Sequence, residues 1–372
     1  MKVLLLDTNL SSLPIYQYLI NLGHEVFVVG VNNTDTLADS SLNYIQLDYS
    51  NIELISEFMN NYKMDVAFPG CNDVSYKIAS ILNEKNGNLF NISPLNISEI
   101  INDKNKFKDF ALDNKLKVPM LYSKNDIIKM SGKKIIVKPT DAYSGKGVSV
   151  LYDFSTSELI DAIQFAEFNS ISKNCIIEEF VSGDLYSHSA FIKDGEYFED
   201  FIVQEYCTIN PYSVDTSWVI DKNKFPIYDD IREEVRKIFT KLNLCDGLVH
   251  TQFIVDGDKF WILEVTRRCP GDLYSKLIQY STGFNYSKHY VDFILKTIPF
   301  FHNNYQRQNV LRRTITFKEE KFWYSIQNTN DKLMFLEFYP LVSSGKKLQV
   351  APKGRAGIVF YSSVSDFEIS EL

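Results

Sequence analysis

The first quarter of the chain alternates between short apolar runs and segments with apolar residues at helical spacing. Lys2 to Leu6 and Glu25 to Val31 are apolar runs, and Leu13 to Leu22 between them has helical spacing. A strand, a helix and a strand of these lengths form a βαβ unit with parallel strands. A helix at Ile52 to Tyr62 and a strand at Asp65 to Phe68 continue the pattern. We therefore predict a small parallel sheet covered by helices over about the first 95 residues.

The pattern changes at Asn91 to Pro94, which we interpret as a domain boundary. Beyond it, Ser98 to Ile101 and Asp103 to Leu112 have helical spacing, and Ser98 is a candidate N-cap. Lys104 lies near the start of the second of these helices. A solvated helix lysine is the simplest interpretation of that residue when it is considered alone.

The segment Ile135 to Leu151 has the pattern of two strands joined by a loop of small residues. Gly145 and Gly147 flank Lys146, so the loop can turn its backbone N–H groups toward an anion, and Lys138 adds a second cation. This pattern suits a polyphosphate site, and an ordinary hairpin with a solvated basic tip is the alternative. The loop is not a Walker A motif, because glycine and a strand pattern follow Lys146 instead of Ser or Thr and a helix.

The next apolar strand, Asn174 to Val181, carries the adjacent carboxylates Glu178 and Glu179. Neighbouring side chains of an extended chain point to opposite faces, so we expect one of the two to face a site. A turn and a strand at Tyr186 to Ile192 follow. The stretch Phe201 to Val219 has no clean periodicity, and we assign it no element.

A hairpin is predicted around the turn Asp256-Gly257. Gln252 and Glu264 lie on its opposite arms. A two-residue loop places these side chains on opposite faces, whereas a three-residue loop with a glycine bulge, which pairs Val255 with Lys259, places them on one face. The second register would let an amide oxygen and a carboxylate reach one hard cation such as magnesium.

Two arginines, Arg267 and Arg268, follow Glu264 at the end of the hairpin. A carboxylate beside paired guanidinium groups at a strand end is typical of sites for metal-bound phosphate. A surface ion cluster is the alternative.

The final segment, from about Asn309, has several short strand patterns and predicts a β-rich subdomain. Arg312, Arg313 and Arg355 in this segment could hold a substrate carboxylate. Surface charge is the favoured role for each of them.

Composition and charge narrow the class of protein. The 372 residues are enough for two or three domains. The net charge of −8 argues against a general nucleic-acid binder, which needs a basic surface. Five scattered cysteines without a CxxC pair favour a reducing compartment over a disulfide framework or a zinc site. Because the first apolar run is too short for a signal peptide and no stretch has membrane-spanning length, we expect a cytoplasmic protein without a membrane partner.

Taken in order, these motifs resemble those of the ATP-grasp superfamily, in the carboxylate–amine ligase branch that includes biotin carboxylase, carbamoyl phosphate synthetase and amino-acid ligases. The resemblance covers about the first 300 residues. It implies an α/β (α+β) fold with three parts. These are a small parallel βαβ domain (1–95), a two-lobed ATP-grasp domain (96–300, with a lid subdomain at about 119–190) and a β-rich C-terminal subdomain (301–372).

The resemblance also implies roles for individual residues. Lys104 and Lys138 would bind the phosphates of ATP, and Lys138 and Arg268 would act in catalysis. Gln252 and Glu264 would hold Mg²⁺. The other nucleotide contacts would come from the lid loop, the adenine hinge and an acidic residue beyond it: Ser144, Gly145, Lys146, Gly147, Glu178, Glu179, Phe180, Val181 and Asp184.

The implied activity is that of an ATP-dependent ligase. A carboxylate would be activated as an acyl phosphate, an amine or similar nucleophile would displace phosphate, and ADP and phosphate would be released. The expected partners are small-molecule carboxylate and amine substrates, without nucleic acid. A homodimer is common in the resembling family.

The sequence departs from the family's pattern at three positions. Gln252 replaces the first metal carboxylate, Thr266 replaces an Asn, and Leu185 replaces a ribose-binding Glu, for which Asp184 is a candidate substitute. The first two departures favour an alternative function, that of a catalytically weakened ATP-binding protein. A third hypothesis, an ATP-dependent carboxylase-type enzyme, needs a biotin carrier or a purine-type acceptor pocket, which the sequence does not indicate. A dehydrogenase is disfavoured because no GxGxxG follows the first strand.

Overall fold

The computed structural model describes two four-stranded sheets, an eight-stranded sheet and a two-stranded sheet with their helices, in residues 1–124, 130, 132–141, 145–297, 307–327 and 330–367. The predicted lid residue Ser144 lies outside these residues. Within them, no helix is long and apolar enough to cross a membrane. The mixed α/β class predicted from the sequence is confirmed.

The N-terminal sheet is parallel, as predicted. Its strands are β1 (Lys2–Leu6), β2 (Glu25–Gly30), β3 (Tyr44–Gln46) and β4 (Val66–Pro69), in the order β3-β2-β1-β4. Its helices are α1 (Leu13–Asn21), α2 (Thr36–Ser40), α3 (Ile52–Tyr62) and α4 (Asp73–Lys85), and a 3₁₀ turn (Leu10–Ser12) precedes α1. Because the loop after β4 leaves from the carboxyl edge of the sheet, it carries the N-terminus of α4 to that edge.

Two helices connect this sheet to the rest of the chain, α5 (Leu95–Asn102) and α6 (Lys104–Asp113). The predicted N-cap Ser98 is wrong: α5 already begins after Pro94, and Ser98 is buried inside it. Proline fixes its φ near the value that a helix start requires, so it sets an earlier beginning than the serine does. The N-cap of α6 is Asp103, whose side chain accepts the N–H groups of Asn105 and Lys106.

A second four-stranded sheet is antiparallel and has the predicted strand, loop and strand at its edge. Its strands are β5 (Leu121–Tyr122), β6 (Lys134–Pro139), β7 (Ser149–Tyr152) and β8 (Cys175–Glu179), in the order β5-β8-β6-β7. Helix α7 (Thr156–Asn169) packs on it and begins with a capping box between Ser155 and Glu158.

The eight-stranded antiparallel sheet is the largest element. Its strands are β9 (Asp184–Lys193), β10 (Glu196–Tyr206), β11 (Thr216–Val219), β12 (Gly247–Asp256), β13 (Lys259–Thr266), β14 (Asn309–Thr316), β16 (Met334–Pro340) and β18 (Arg355–Ser363). Their order is β13-β12-β9-β10-β11-β14-β18-β16. The C-terminal strands therefore extend this sheet, and the stretch Phe201 to Val219, to which we assigned no element, contributes two of its inner strands.

The remaining elements surround that sheet. Helix α8 (Tyr228–Lys241) packs on one face, and α9 (Tyr274–Thr282) and α10 (Tyr286–Ile294) pack on the other, against the N-terminal sheet. A short 3₁₀ turn (Lys222–Lys224) precedes α8. Strands β15 (Lys321–Phe322) and β17 (Lys347–Leu348) pair separately in the C-terminal segment.

The hairpin of β12 and β13 has a register that differs from both sequence alternatives. Its loop has two residues, because Asp256 pairs with Lys259, so the predicted pairing of Val255 with Lys259 is wrong. An irregularity after Gln252 nevertheless leaves Gln252 opposite Glu264. One extra residue on β13 thus restores the shared face that a two-residue loop alone would have removed.

Candidate active site

A cleft of about 960 Å³ lies between the small antiparallel sheet and the eight-stranded sheet. Most of the predicted site residues line it: Lys104, Lys138, Gly145, Lys146, Glu178, Glu179, Phe180, Val181, Asp184, Gln252, Glu264 and Arg268. Gly147 instead packs against Pro139 and Asn169 beside the cleft. The fold therefore brings together residues that are far apart in the sequence, and their individual roles remain predictions.

Glu178 lies between two lysines in the wall of the cleft. Its Oε1 is 2.7 Å from Nζ of Lys108, and its Oε2 pairs with Nζ of Lys138. Glu178 and Lys108 are buried, whereas Lys138 is partly exposed to the cleft. The alternation of β8 explains this, since Glu178 points inward while Glu179 is only partly buried. No local pattern singles out Lys108, because a lysine in a helix is usually exposed.

The charges of this cluster change each other's pKa values. Burial acts to raise the pKa of Glu178, but the ammonium groups of Lys138 and Lys108 outweigh it and lower that pKa. Burial lowers the pKa of Lys108 to about 8, against the attraction of Glu178. The carboxylate is therefore ionised at neutral pH and restrains Lys138 at the cleft wall.

The loop between β6 and β7 carries Lys146 to the cleft. Gly145 and Gly147 have φ angles of +69° and +76°, which residues with a Cβ rarely adopt. A Cβ on Gly145 would also lie 2.2 Å from Cβ of Tyr212, in the segment between β10 and β11. The glycines thus permit the loop to approach the large sheet closely.

The segment after β8 crosses from the small sheet to the large one. The N–H of Phe180 donates to the carbonyl of Lys134 at 2.9 Å, and Nζ of Lys134 lies 3.8 Å from the centre of the Phe180 ring. Val181 and Asp184 line the cleft beyond this point. The segment lies where an adenine hinge is predicted, with its backbone anchored to the small sheet.

Arg268 forms a two-point ion pair with a residue of the N-terminal sheet unit. Its Nε is 2.8 Å from Oδ1 of Asp73, and its Nη2 is 3.3 Å from Oδ2. Desolvation in the cleft acts to raise the pKa of Asp73, but the charges of Arg268 and Lys104 outweigh it and lower that pKa. The sequence analysis missed Asp73, since nothing local connects it to an arginine 195 positions away.

Two other residues adjoin this ion pair. Thr266 donates its hydroxyl to Oδ1 of Asp73 at 3.4 Å and accepts the N–H of Arg268 at 3.3 Å. Nζ of Lys104 donates to the carbonyl of Thr140, directly after β6, at 3.5 Å. Thr266 therefore supports the ion pair.

The second wall of the cleft carries Glu264, Gln252 and a carboxylate that the sequence analysis missed, Glu205. Nε2 of Gln252 donates to Oε2 of Glu205 at 2.7 Å. Burial raises the pKa of Glu205, and it outweighs the bonds from Ser187 and Gln252 and the charge of Arg312, which act to lower that pKa. Glu205 lies in the stretch without clean periodicity, so the sequence offered no strand face on which to place it.

Arg312 also lines the cleft, so its predicted role as surface charge is wrong. Its Nε donates to Oγ of Ser217 at 2.8 Å, and its Nη1 donates to the carbonyl of Asp272 at 3.2 Å. Arg355 pairs with the carboxylate of the same aspartate at 2.8 Å and is largely exposed. The central position of β14 in the large sheet explains the burial of Arg312.

Two histidines of the large sheet have different surroundings. His188 is fully buried and pairs with the buried Asp200 at 2.9 Å. His250 lines the cleft, with Nδ1 2.7 Å from Oγ of Ser189. Burial lowers the pKa of His250 to about 3, and the charge of Arg268 adds to the effect. His250 is therefore neutral over the physiological pH range.

His250 is expected to make the protein less stable in acid. The unfolded chain binds a proton at this residue below about pH 6.5, whereas the folded chain does so only below about pH 3. The free energy of unfolding should therefore fall by up to about 1.4 kcal/mol per pH unit below pH 6.5. Urea unfolding of wild type and His250→Gln between about pH 7 and pH 5 measures this, and the variant should show the weaker pH dependence. His24→Gln, at a partly exposed site, is the control, and parallel curves for wild type and His250→Gln would contradict the prediction.

The described part of the chain has no group of three or more His, Cys, Asp or Glu side chains arranged to hold a metal ion. All five cysteines are free. A cation in the cleft would therefore need amide or phosphate oxygens in addition to carboxylates.

A parallel N-terminal sheet followed by two antiparallel sheets around a cleft defines the two-lobed class of fold that the motifs predict. Residues 101–272 match the family described as ATP-grasp domain. A formate-dependent phosphoribosylglycinamide formyltransferase of Prochlorococcus marinus is 24% identical over 233 residues, which are 60% of this chain and 58% of that protein. The chain thus spans less than two thirds of the length of this relative.

Solved structures of other proteins share the fold of nearly the whole chain. An L-amino acid ligase from Bacillus licheniformis superposes with a TM-score of 0.79 at 17% identity, covering 98% of this chain and 93% of that one. An N5-carboxyaminoimidazole synthetase from Staphylococcus aureus complexed with ADP has a TM-score of 0.76 at 14% identity, with the same coverages. Residues 101–272 therefore carry the ATP-grasp domain, and the solved structures share the fold of nearly the whole chain.

Proposed function

We propose that the protein is an ATP-dependent ligase that activates a carboxylate as an acyl phosphate and joins it to an amine or similar nucleophile. The observation that carries this proposal is the convergence of Lys104, Lys138 and Arg268 with Glu264 on a single cleft. Separated cations suit a polyphosphate, and a carboxylate at the same cleft suits its metal ion. The ADP in the structure of the Staphylococcus aureus relative supports the choice of nucleotide.

The cations of the cleft have different proposed tasks. Lys138 is held by the buried Glu178 and is partly exposed, so it can meet a phosphate without a large rearrangement. Lys104 and the glycine loop with Lys146 would contact the same polyphosphate from two other elements. The two sheets that border the cleft would thereby position the nucleotide for in-line transfer. Positioning is the main contribution that a protein makes to phosphoryl transfer.

The residues present fit a magnesium ion in part. Glu264 and Gln252 are paired across the hairpin, and a carboxylate and an amide offer oxygen donors of the kind that magnesium prefers. Magnesium would neutralise the charge of the ATP phosphates. We propose that these two residues hold it, together with phosphate oxygens.

The proposed chemistry has two balanced steps. A carboxylate oxygen attacks the γ-phosphorus of ATP, the bond to the β,γ-bridging oxygen breaks, and an acyl phosphate and ADP form. The amine nitrogen then attacks the acyl carbon, phosphate leaves, and the nitrogen loses a proton. Arg268 would stabilise charge on the transferred phosphoryl group, since its guanidinium is fixed at the cleft by Asp73.

A catalytically weakened ATP-binding protein is the second candidate, favoured by one observation. The amide nitrogen of Gln252 is bonded to Glu205, and Thr266 is bonded to the Asp73 and Arg268 pair. Neither residue reproduces the acidic and amide ligands of the resembling family. A carboxylase-type activity remains the third hypothesis.

The experiment that tests the proposal measures ADP and phosphate release from ATP and magnesium with pools of carboxylates, each with and without pools of amines. Release that requires one acid and one amine supports a ligase and identifies the substrates. Demonstrable ATP binding without stimulation by any pool favours the binding protein. Release that requires bicarbonate favours the carboxylase.

A further inference from the structure

We infer that Glu205 is the second carboxylate of the magnesium site, in place of the carboxylate that is absent at Gln252. The inference rests on the proposed function, because it concerns the metal ion that accompanies the nucleotide. It would give the cleft two carboxylates facing one cation, contributed by β10 and β13, which are not neighbouring strands.

Strand pairing places Glu205 on the same sheet face as the predicted ligands. Gln252 pairs directly with Glu264 on one side and with Ser187 on the other, so these side chains share a face. Ser187 pairs with Val203 of β10, and Glu205 lies two residues further along that strand, on the same face. Glu205 and Glu264 both line the cleft.

Two neutral donors fix the carboxylate of Glu205. Oγ of Ser187 donates to Oε1 and Nε2 of Gln252 donates to Oε2, each at 2.7 Å. The two oxygens of a carboxylate offer about four acceptor positions. Both oxygens therefore retain capacity for a cation, and the carboxylate is already oriented.

Glu205 has no direct ion pair in the described part of the chain, because the guanidinium of Arg312, whose charge reaches it, is bonded to Ser217 and Asp272 instead. The side chain is 5% exposed, and in the described part of the chain no lysine or arginine nitrogen lies within 4.0 Å of Glu205 or Glu264. Buried charges are normally paired or coordinated to a metal. A divalent cation between the two carboxylates would supply the direct partner that Arg312 does not provide.

A weaker role for Glu205 is to orient the amide of Gln252 so that the amide oxygen alone binds the metal. The two roles differ in what a glutamine at position 205 would do. Its amide oxygen could still accept the bond from Gln252 and preserve the orientation, but it would remove one negative charge from the site. Metal affinity in a Glu205→Gln variant therefore separates a ligand from a positioning residue.

The test uses Mn²⁺ as the probe, with the free ion measured by electron paramagnetic resonance in the presence of saturating ADP. Glu205→Gln should lower the Mn²⁺ affinity about ten- to a hundredfold, with the metal-free affinity for ADP within about twofold of wild type. The exchange variant Glu205→Gln/Gln252→Glu keeps the net charge and the hydrogen bond, and should recover to within about threefold of wild type. Glu234→Gln, which changes a buried carboxylate outside the cleft, is the matched control.

Two outcomes overturn the inference while leaving the proposed function intact. One is wild-type Mn²⁺ affinity in Glu205→Gln, and the other is an exchange variant that binds Mn²⁺ no better than Glu205→Gln. Failure of the wild-type protein to bind ADP would instead contradict the proposed function. Because each failure has its own readout, neither can be mistaken for the other.

Discussion

Replacing Arg268 with alanine is expected to lower kcat by about a thousandfold and to change the affinity for ADP by less than about tenfold. The guanidinium lies at the cleft, where Asp73 fixes it with two bonds of 2.8 and 3.3 Å. In the proposed reaction it faces charge that develops during phosphoryl transfer, and interactions made only in the transition state act on kcat. Steady-state kinetics at saturating substrates and calorimetric titration with ADP measure the two quantities separately.

The matched control for this experiment is Arg236→Ala. Arg236 lies on α8 outside the cleft and pairs with Glu196 at 2.7 Å, so its loss should leave kcat within about twofold of wild type. An Arg268→Ala protein that binds ADP far more weakly but turns over normally once saturated would contradict the proposed role.

Replacing Glu178 with glutamine is expected to lower the free energy of unfolding by about 3–5 kcal/mol. Glu178 and Lys108 are both almost fully buried, and the substitution leaves the lysine charge without its partner. The lowered pKa of Glu178 gives this effect a pH dependence. The stabilisation is fully present above the ordinary pKa of 4.5 and is lost as the pH falls below it, so wild type and variant should converge in acid. Urea unfolding at neutral and acidic pH measures both effects.

Glu179→Gln is the control, because it changes the adjacent carboxylate, which is less buried and outside the ion pair with Lys108. Its free energy of unfolding should stay within about 1 kcal/mol of wild type. Equal destabilisation by Glu178→Gln and Glu179→Gln would contradict the prediction. It would mean that this end of β8 does not tolerate an amide, and that loss of the ion pair with Lys108 does not cause the destabilisation.

The sequence predicted those parts of the fold that depend on local pattern. The apolar runs of β1 and β2, the loop between β6 and β7, and the hairpin of β12 and β13 all have short-range signals. The hairpin also marks the limit of such reasoning. Turn type alone gave Gln252 and Glu264 a wrong register, because the extra residue of β13 that restores their shared face lies beside Gln252 and away from the turn.

The sequence predicted those residues of the candidate site that carry recognisable chemistry and also lie beside a recognisable strand. It did not predict the others. Lys138, Glu264 and Arg268 follow or end apolar strands and carry recognisable chemistry. Asp73 and Glu205 were missed because their meaning comes from partners on other elements. Three residues required the fold before a role could be considered: Asp73, Lys108 and Glu205. Each is an ordinary charged residue until tertiary contacts bury it or bring it to the cleft.

The most direct test of the proposed ligase reaction follows oxygen from the carboxylate substrate to phosphate. The acid identified by the screen is labelled with ¹⁸O in its carboxyl group and incubated with ATP, magnesium and the amine, and the released phosphate is analysed by mass spectrometry. An acyl phosphate transfers one carboxyl oxygen to phosphate, so we expect about one ¹⁸O per phosphate formed. Product formation with unlabelled phosphate would contradict the account, because it would exclude activation of the carboxylate by the γ-phosphoryl group.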